Sequence, residues 1–176
     1  MRQQLPKEID PFRFAQTGRE LEGEIKLATL SRLAASLYKD DGVVQVSMHF
    51  AVDDTGTPYM QGHFETTLSL SCERCLQELV LPLQIDTQLG LVRHEKLAEK
   101  LSDQYEPWVI EDHELVDPAT VVEDELILAL PLVPKHDENC LPDEAWVSED
   151  KADEQTEKPD KPDSPFAVLS ELKSKK

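Results

Sequence analysis

VVQVSMHFAV at residues 43–52, MQGHFETTLSL at 60–70 and LVLPLQIDTQLGL at 79–91 follow one another with only a turn between each. In the first, Val44, Val46, Met48, Phe50 and Val52 point one way while Gln45, Ser47 and His49 point the other. A period of two is the signature of a half-buried strand. It resumes after Asp53-Asp54-Thr55-Gly56-Thr57-Pro58 through Met60, Gly62, Phe64, Thr66, Leu68 and Leu70, and again through Leu79, Leu81, Leu83, Ile85, Leu89 and Leu91. Three alternating strands in succession predict an antiparallel β meander or barrel-like sheet.

Upstream, Asp10-Pro11 followed by Phe12, Phe14 and Gly18 supplies an N-cap, a first-position proline and a glycine stop, so one short helical turn is expected there. Leu21 to Ile25 suits a strand. Leu30, Leu33, Ala34, Leu37 and Tyr38 then fall at amphipathic helical spacing, ended by Asp40-Asp41-Gly42. Downstream, Leu97, Ala98 and Leu101 predict a short surface helix within 93–105, and Pro107 to Ile110 a short edge strand. Asp117-Pro118 opens a last helix with Val122, Leu126, Ala129 and Leu130 inward, stopped by Pro131. Glu123, Asp124 and Glu125 are adjacent, so they fan around that helix as a solvated face instead of converging on a site.

Past Cys140 the composition shifts to Asp, Glu, Lys, Ser and Pro, with little to bury. The expected organisation is α+β: a globular domain over 1–141 whose sheet carries a few short helices, a disordered acidic linker over 142–163, and a short docking motif over 164–176. In the last, Phe166, Leu169 and Leu172 recur at helical spacing suited to a partner's apolar groove.

With 36 acidic against 18 basic residues the chain carries a formal charge of −18. That excess argues against a sequence-blind nucleic-acid coat, whose affinity comes from cations replacing counterions. No apolar run approaches the roughly 18 residues of a membrane span, and the start MRQQLPK lacks the hydrophobic core of a signal peptide. The expectation is a cytoplasmic protein with no membrane partner. Three cysteines, an odd number, then do not make a disulfide framework.

Cys72-Glu-Arg-Cys75 and His136-Asp-Glu-Asn-Cys140 carry the most chemistry. The first pair lies in a predicted strand-to-strand turn, the second in a loop stiffened by Pro131 and Pro134, and together they could close a tetrahedral zinc site. The alternative is three ordinary thiols and a surface histidine. A redox pair is disfavoured because the flanks of Cys72 and Cys75 are β-like, without the helix N-terminus that lowers a thiol pKa. His49, His63, His94 and His113 share no catalytic spacing, and neither a phosphate loop nor a nucleophile elbow is present, so neither an enzyme nor a small-molecule substrate is indicated. Arg93, Lys96 and Lys100 line up as candidate phosphate contacts, with Glu95 and Glu99 beside them for ordinary ion pairing.

LPKEIDPFR at 5–13, the Cys72–Cys75 turn, VVEDELILALP at 121–131 through His136 and Cys140, and PFAVL at 165–169 together resemble the YceD family, in family order over nearly the whole chain. The resemblance implies a role in synthesis, processing or stability of large-subunit ribosomal RNA, in a family without an established enzymatic activity. The acidic balance adds an expected contact through a basic ribosomal protein or assembly factor. The alternative is a small zinc module touching the ribosomal RNA precursor directly through Arg74, Lys135 and their neighbours.

Overall fold

Five strands stand side by side in chain order, β1 (Glu20–Lys26), β2 (Val43–Val52), β3 (Pro58–Ser71), β4 (Glu78–Val92) and β5 (Glu106–Val109). The structure, a computed structural model, describes residues 5–111 and 114–141. The expected linker and the motif with Phe166, Leu169 and Leu172 lie outside these residues, as does His113. The first four strands form the antiparallel meander; β5 joins β4 in parallel, and β1 and β5 leave the sheet open instead of closing it as a barrel.

The alternation seen in the sequence becomes two faces. Val44, Val46, Met48, Phe50, Met60, Phe64, Leu68 and Leu70 are all buried on the inner face. Gly62 belongs to that row because a Cβ there would stand 2.6 Å from the Phe64 ring and 2.9 Å from Thr87, so its absence is what admits Phe64. The opposite face keeps Gln45, Ser47, Gln61 and Glu65 in solvent. Helix α1 (Pro11–Thr17) covers the inner face, with Phe14 edge-on to Phe50 at 5.6 Å. Its ends are those the sequence announced: the Asp10 carboxylate accepts from the Arg13 amide, and Gly18 closes it at φ 58. Antiparallel bonds between Ile9 and Val116 then bring the opening segment beside α4 (Pro118–Leu128), capped by Asp117 and burying Val121, Val122 and Leu126.

Two expected helices are shorter than their periodicity. In place of one helix from Thr29 to Tyr38 there is a 3-10 turn at Leu27–Thr29 and a single α turn, α2 (Ser31–Ala34). Tertiary pairing wins: the Tyr38 amide donates to Ser69 O at 2.7 Å, Lys39 bridges Ser69, and its ammonium pairs with Glu78, drawing the chain out beside β3. Likewise the 93–105 helix is only α3 (Glu95–Ala98), after which Leu101 packs where a Cβ on Gly90 would be and buried Tyr105 donates to Asp53. Thr55, Thr57 and Tyr105 hydrogen bonds hold the Asp53 carboxyl down at about 2, which fixes the β2–β3 turn.

The adjacent carboxylates of α4 do not form one solvated face. Glu123 is buried, its Oε1 accepting from the amides of Arg32 (2.7 Å) and Leu33 (3.2 Å) at the start of α2 while Oε2 takes the Arg32 guanidinium at 2.9 Å. Asp124 stays exposed and pairs with the same arginine at 2.6 Å. Glu125 is half-buried beside Thr87 and Glu106, and burial first, then Glu106, raises its carboxyl. Burial alone would raise Glu123 too, but the Leu33 amide and Arg32 outweigh it and hold the group below the usual range.

Glu123→Ala should cost about 2 kcal/mol in urea unfolding, because it strands two amides and a guanidinium at once, whereas Asp124→Ala should leave the midpoint nearly unchanged. Since the folded carboxyl is depressed, the Glu123 contribution is fully present above the ordinary glutamate pKa and is lost as pH falls through the folded value. The stability difference between wild type and E123Q, measured as a function of pH, should shrink on acidification.

Candidate metal centre

The β3–β4 hairpin ends in a six-residue tip, Cys72 to Gln77, closed by Cys72 N–H to Gln77 O at 2.9 Å and Leu76 N–H to Cys72 O at 2.8 Å. Leu76 sits at φ 59, a left-handed conformation that costs a leucine roughly 1 kcal/mol. The tightness turns both thiols of the tip to one side. Against them comes the loop after α4: the Glu73 amide donates to Pro134 O at 2.8 Å, and the Arg74 guanidinium holds the carbonyls of His136 and Glu138 at 2.9 and 3.0 Å.

These contacts gather Cys72, Cys75, His136 and Cys140, whose ligand atoms all lie within 4.8 Å of one another, close enough to hold a metal ion. Cys72 Sγ is 3.8 Å from Cys140 Sγ, and Cys75 Sγ is 3.5 Å from His136 Nδ1. His136 Nε2 lies 3.1 Å from the carbonyl of Glu78, an acceptor only, so Nε2 carries the proton and Nδ1 presents its lone pair to the thiols. Burial pushes the Cys72 thiol up, but N–H groups of Cys75, His136 and Arg74 outweigh it and bring the pKa down to about 5. Cys140 goes the other way, to about 11, through burial and the sulfurs of Cys75 and Cys72. The folded site therefore favours the thiolate at Cys72 and the thiol at Cys140, which gives up its proton when it ligates an ion.

A cysteine–histidine nucleophile would need only Cys75 and His136. Two further thiols pressed against that pair suit ligation better, because four soft donors within 4.8 Å of one another match a four-coordinate thiolate–imidazole shell.

The remaining sequence candidates are not part of this cluster. Lys135 is exposed next to His136, while Arg93 lies over the Phe12 ring at 4.5 Å, in a groove that includes Lys96 but also Glu95 and Glu111. Lys100 is exposed beyond α3. His63 is gripped on both nitrogens, by Asp86 at 2.6 Å and Glu65 at 3.2 Å, which raise its pKa in that order. Sequence reasoning missed the Glu123 cap, which leaves only a glutamate at an unremarkable helical position, and the Glu78 carbonyl behind His136, which is backbone and leaves no mark at all.

A family model described as large ribosomal RNA subunit accumulation protein YceD matches residues 60–173. The chain is also 34% identical over 172 residues to a Haemophilus influenzae protein of that description, covering 97% of each. No solved structure matches.

In metal-free protein the thiolate absorbance should include one step near pH 5 and one near 11, belonging to the coupled pair Cys72 and Cys140. Cys72→Ser should remove the acidic step; a single step in the ordinary cysteine range would contradict this electrostatic picture of the cluster.

Proposed function

The chain belongs to the YceD family, and from that membership we propose that it promotes accumulation of large-subunit ribosomal RNA as a non-catalytic assembly factor in the cytoplasm. The observation that carries this reading is the 34% identity sustained over 97% of both chains. A structural zinc ion completes it. For zinc with sulfur at about 2.3 Å and nitrogen at about 2.0 Å, a tetrahedron has sulfur–sulfur edges of roughly 3.8 Å and sulfur–nitrogen edges of roughly 3.5 Å. The Cys72–Cys140 and Cys75–His136 separations of 3.8 and 3.5 Å fit those edges. Three thiolates and an imidazole also select zinc over magnesium or calcium. With four protein ligands the coordination shell is full, so the ion's chemistry is to hold, not to activate water.

What it holds is the 134–140 loop against the hairpin tip, and the loop carries Lys135 outward. A second reading, a zinc module that touches ribosomal RNA directly, draws on that exposed lysine. Arg74 supports it less, because its guanidinium already grips two loop carbonyls.

The purified protein should carry one zinc per chain, and Cys72→Ser with Cys75→Ser should abolish it and loosen the loop. In cells, deletion should lower mature large-subunit RNA relative to small-subunit RNA. Complementation at matched protein levels with Lys135→Ala should restore the ratio if the partner is a protein, and fail if the loop binds RNA. An unchanged ratio in the deletion strain removes the assembly role altogether.

A further inference from the structure

Three sulfurs and one imidazole meet at the hairpin tip, and the fold gives the sulfurs different neighbours. Cys75 Sγ lies 3.5 Å from His136 Nδ1, whereas Cys72 Sγ faces another sulfur, Cys140 Sγ, at 3.8 Å. A disulfide holds its sulfurs about 2 Å apart, so the Cys72–Cys140 pair is one short approach from a bond. From spacing alone the pair to weigh for redox chemistry is Cys72 with Cys75, which the β-like flanks disfavour. Packing makes a different pair, from residues 68 positions apart.

The two members of this pair differ in access and in slack. Cys72 is buried, and its amide and carbonyl are both bonded within the tip, to Gln77 and Leu76. Cys140 is partly exposed. The bonds that anchor its loop, from the Glu73 amide to Pro134 and from the Arg74 guanidinium to His136 and Glu138, end two residues before it. The approach therefore falls to Cys140, and so does the first encounter with a dissolved oxidant.

We propose that Cys72 and Cys140 are a peroxide-sensitive pair whose oxidation to a disulfide expels the ion from the cluster. The inference rests on the zinc reading for the ion alone, since the bond needs only the two sulfurs. The Cys140 sulfur attacks hydrogen peroxide, the O–O bond breaks, and a sulfenic acid forms while the departing hydroxide takes up a proton as water. The Cys72 sulfur then attacks the sulfenic sulfur, forming S–S as S–O breaks, and a second hydroxide leaves as water. Two thiols and one peroxide give one disulfide and two waters; in the zinc-loaded chain the two protons come from solvent. Cys75 and His136 alone do not fill a tetrahedral shell, so the ion leaves. The loop stays in place, because the disulfide joins the same two segments and the Glu73 and Arg74 bonds lie outside the ligand set.

The test treats the full chain, zinc-loaded and metal-free, with equimolar hydrogen peroxide, blocks the remaining thiols by alkylation and digests with trypsin. Cleavage after Arg74 and Lys135 puts Cys72, Cys75 and Cys140 on three different peptides, so mass spectrometry without reductant locates the bond. The Cys72 and Cys140 peptides should be joined, with free thiols falling from three per chain to one. Zinc, read with a chromophoric chelator, should be released in step with the bond, and a dithiol with added zinc should reverse both. Cys140→Ser should slow loss of the Cys72 thiol by about tenfold or more, while metal-free Cys75→Ser should still form the Cys72–Cys140 bond. If either variant does not fold, the peptide map of the unaltered chain decides. A Cys72–Cys75 bond, a bond between two chains, sulfinic acid in place of a disulfide, or zinc retained after the disulfide forms would overturn the proposal. Purified protein without zinc would remove the structural-ion reading, and the same map on that protein would still show whether the pair closes, so the two failures are distinguishable.

Discussion

The pairing of β3 with β4 constrains everything else. The ladder runs from Tyr59–Gly90 to Ser71–Glu78 without a break, so each inward residue of one strand meets an inward residue of the other: Met60 with Leu89, Phe64 with Ile85, Leu68 with Leu81, Leu70 with Leu79. A slip of one residue would turn the inward row of the slipped strand to solvent. That register also fixes the length of the tip, and hence that Cys72 and Cys75 emerge together where the loop after α4 arrives. The glycine at position 62 and the proline at 82 fit because of where they fall in it. Gly62 makes space for Phe64, while Pro82 sits on the outer face opposite Thr67.

The acidic surface is not uniform in what it does. Arg32 joins Glu123 and Asp124, Lys39 joins Glu78, and Asp53 accepts from three donors of its turn and from the Tyr105 hydroxyl, so some of the carboxylates tie elements together. These contacts connect elements that periodicity alone would leave separate, α2 with α4 and the segment after α2 with β4.

A zinc clip at Cys72, Cys75, His136 and Cys140 would join positions about 60 residues apart in the chain. Closing so long a loop costs conformational entropy that rises only slowly with length, and part of it is met without the ion, through the Glu73–Pro134 bond and the Arg74 clamp. The ion would then act chiefly on the loop, leaving the sheet to stand on its own core. A full shell of protein ligands suits a part whose use is a fixed surface.

The meander was legible from residues because a period of two in Val44–Val52, Met60–Leu70 and Leu79–Leu91 has one physical meaning, a strand with one wet face. The limits of α1 and the start of α4 were legible for the same local reason: a cap, a proline or a glycine acts within one turn of itself. The two cysteine-bearing segments could be named from ligand types and spacing, and the family resemblance from four segments met in family order. Tertiary structure decided what depends on partners distant in sequence. Leu30 to Tyr38 has helical spacing yet gives up its helix to Ser69. Nothing local in the sequence marks Glu123 apart from its acidic neighbours Asp124 and Glu125, yet it is buried under Arg32 and Leu33. Only the folded chain shows that His136 and Cys140 reach the thiols of the hairpin tip, because periodicity and capping are set within a few residues, whereas burial, charge pairing and metal geometry are set by segments that only the packed sheet brings together.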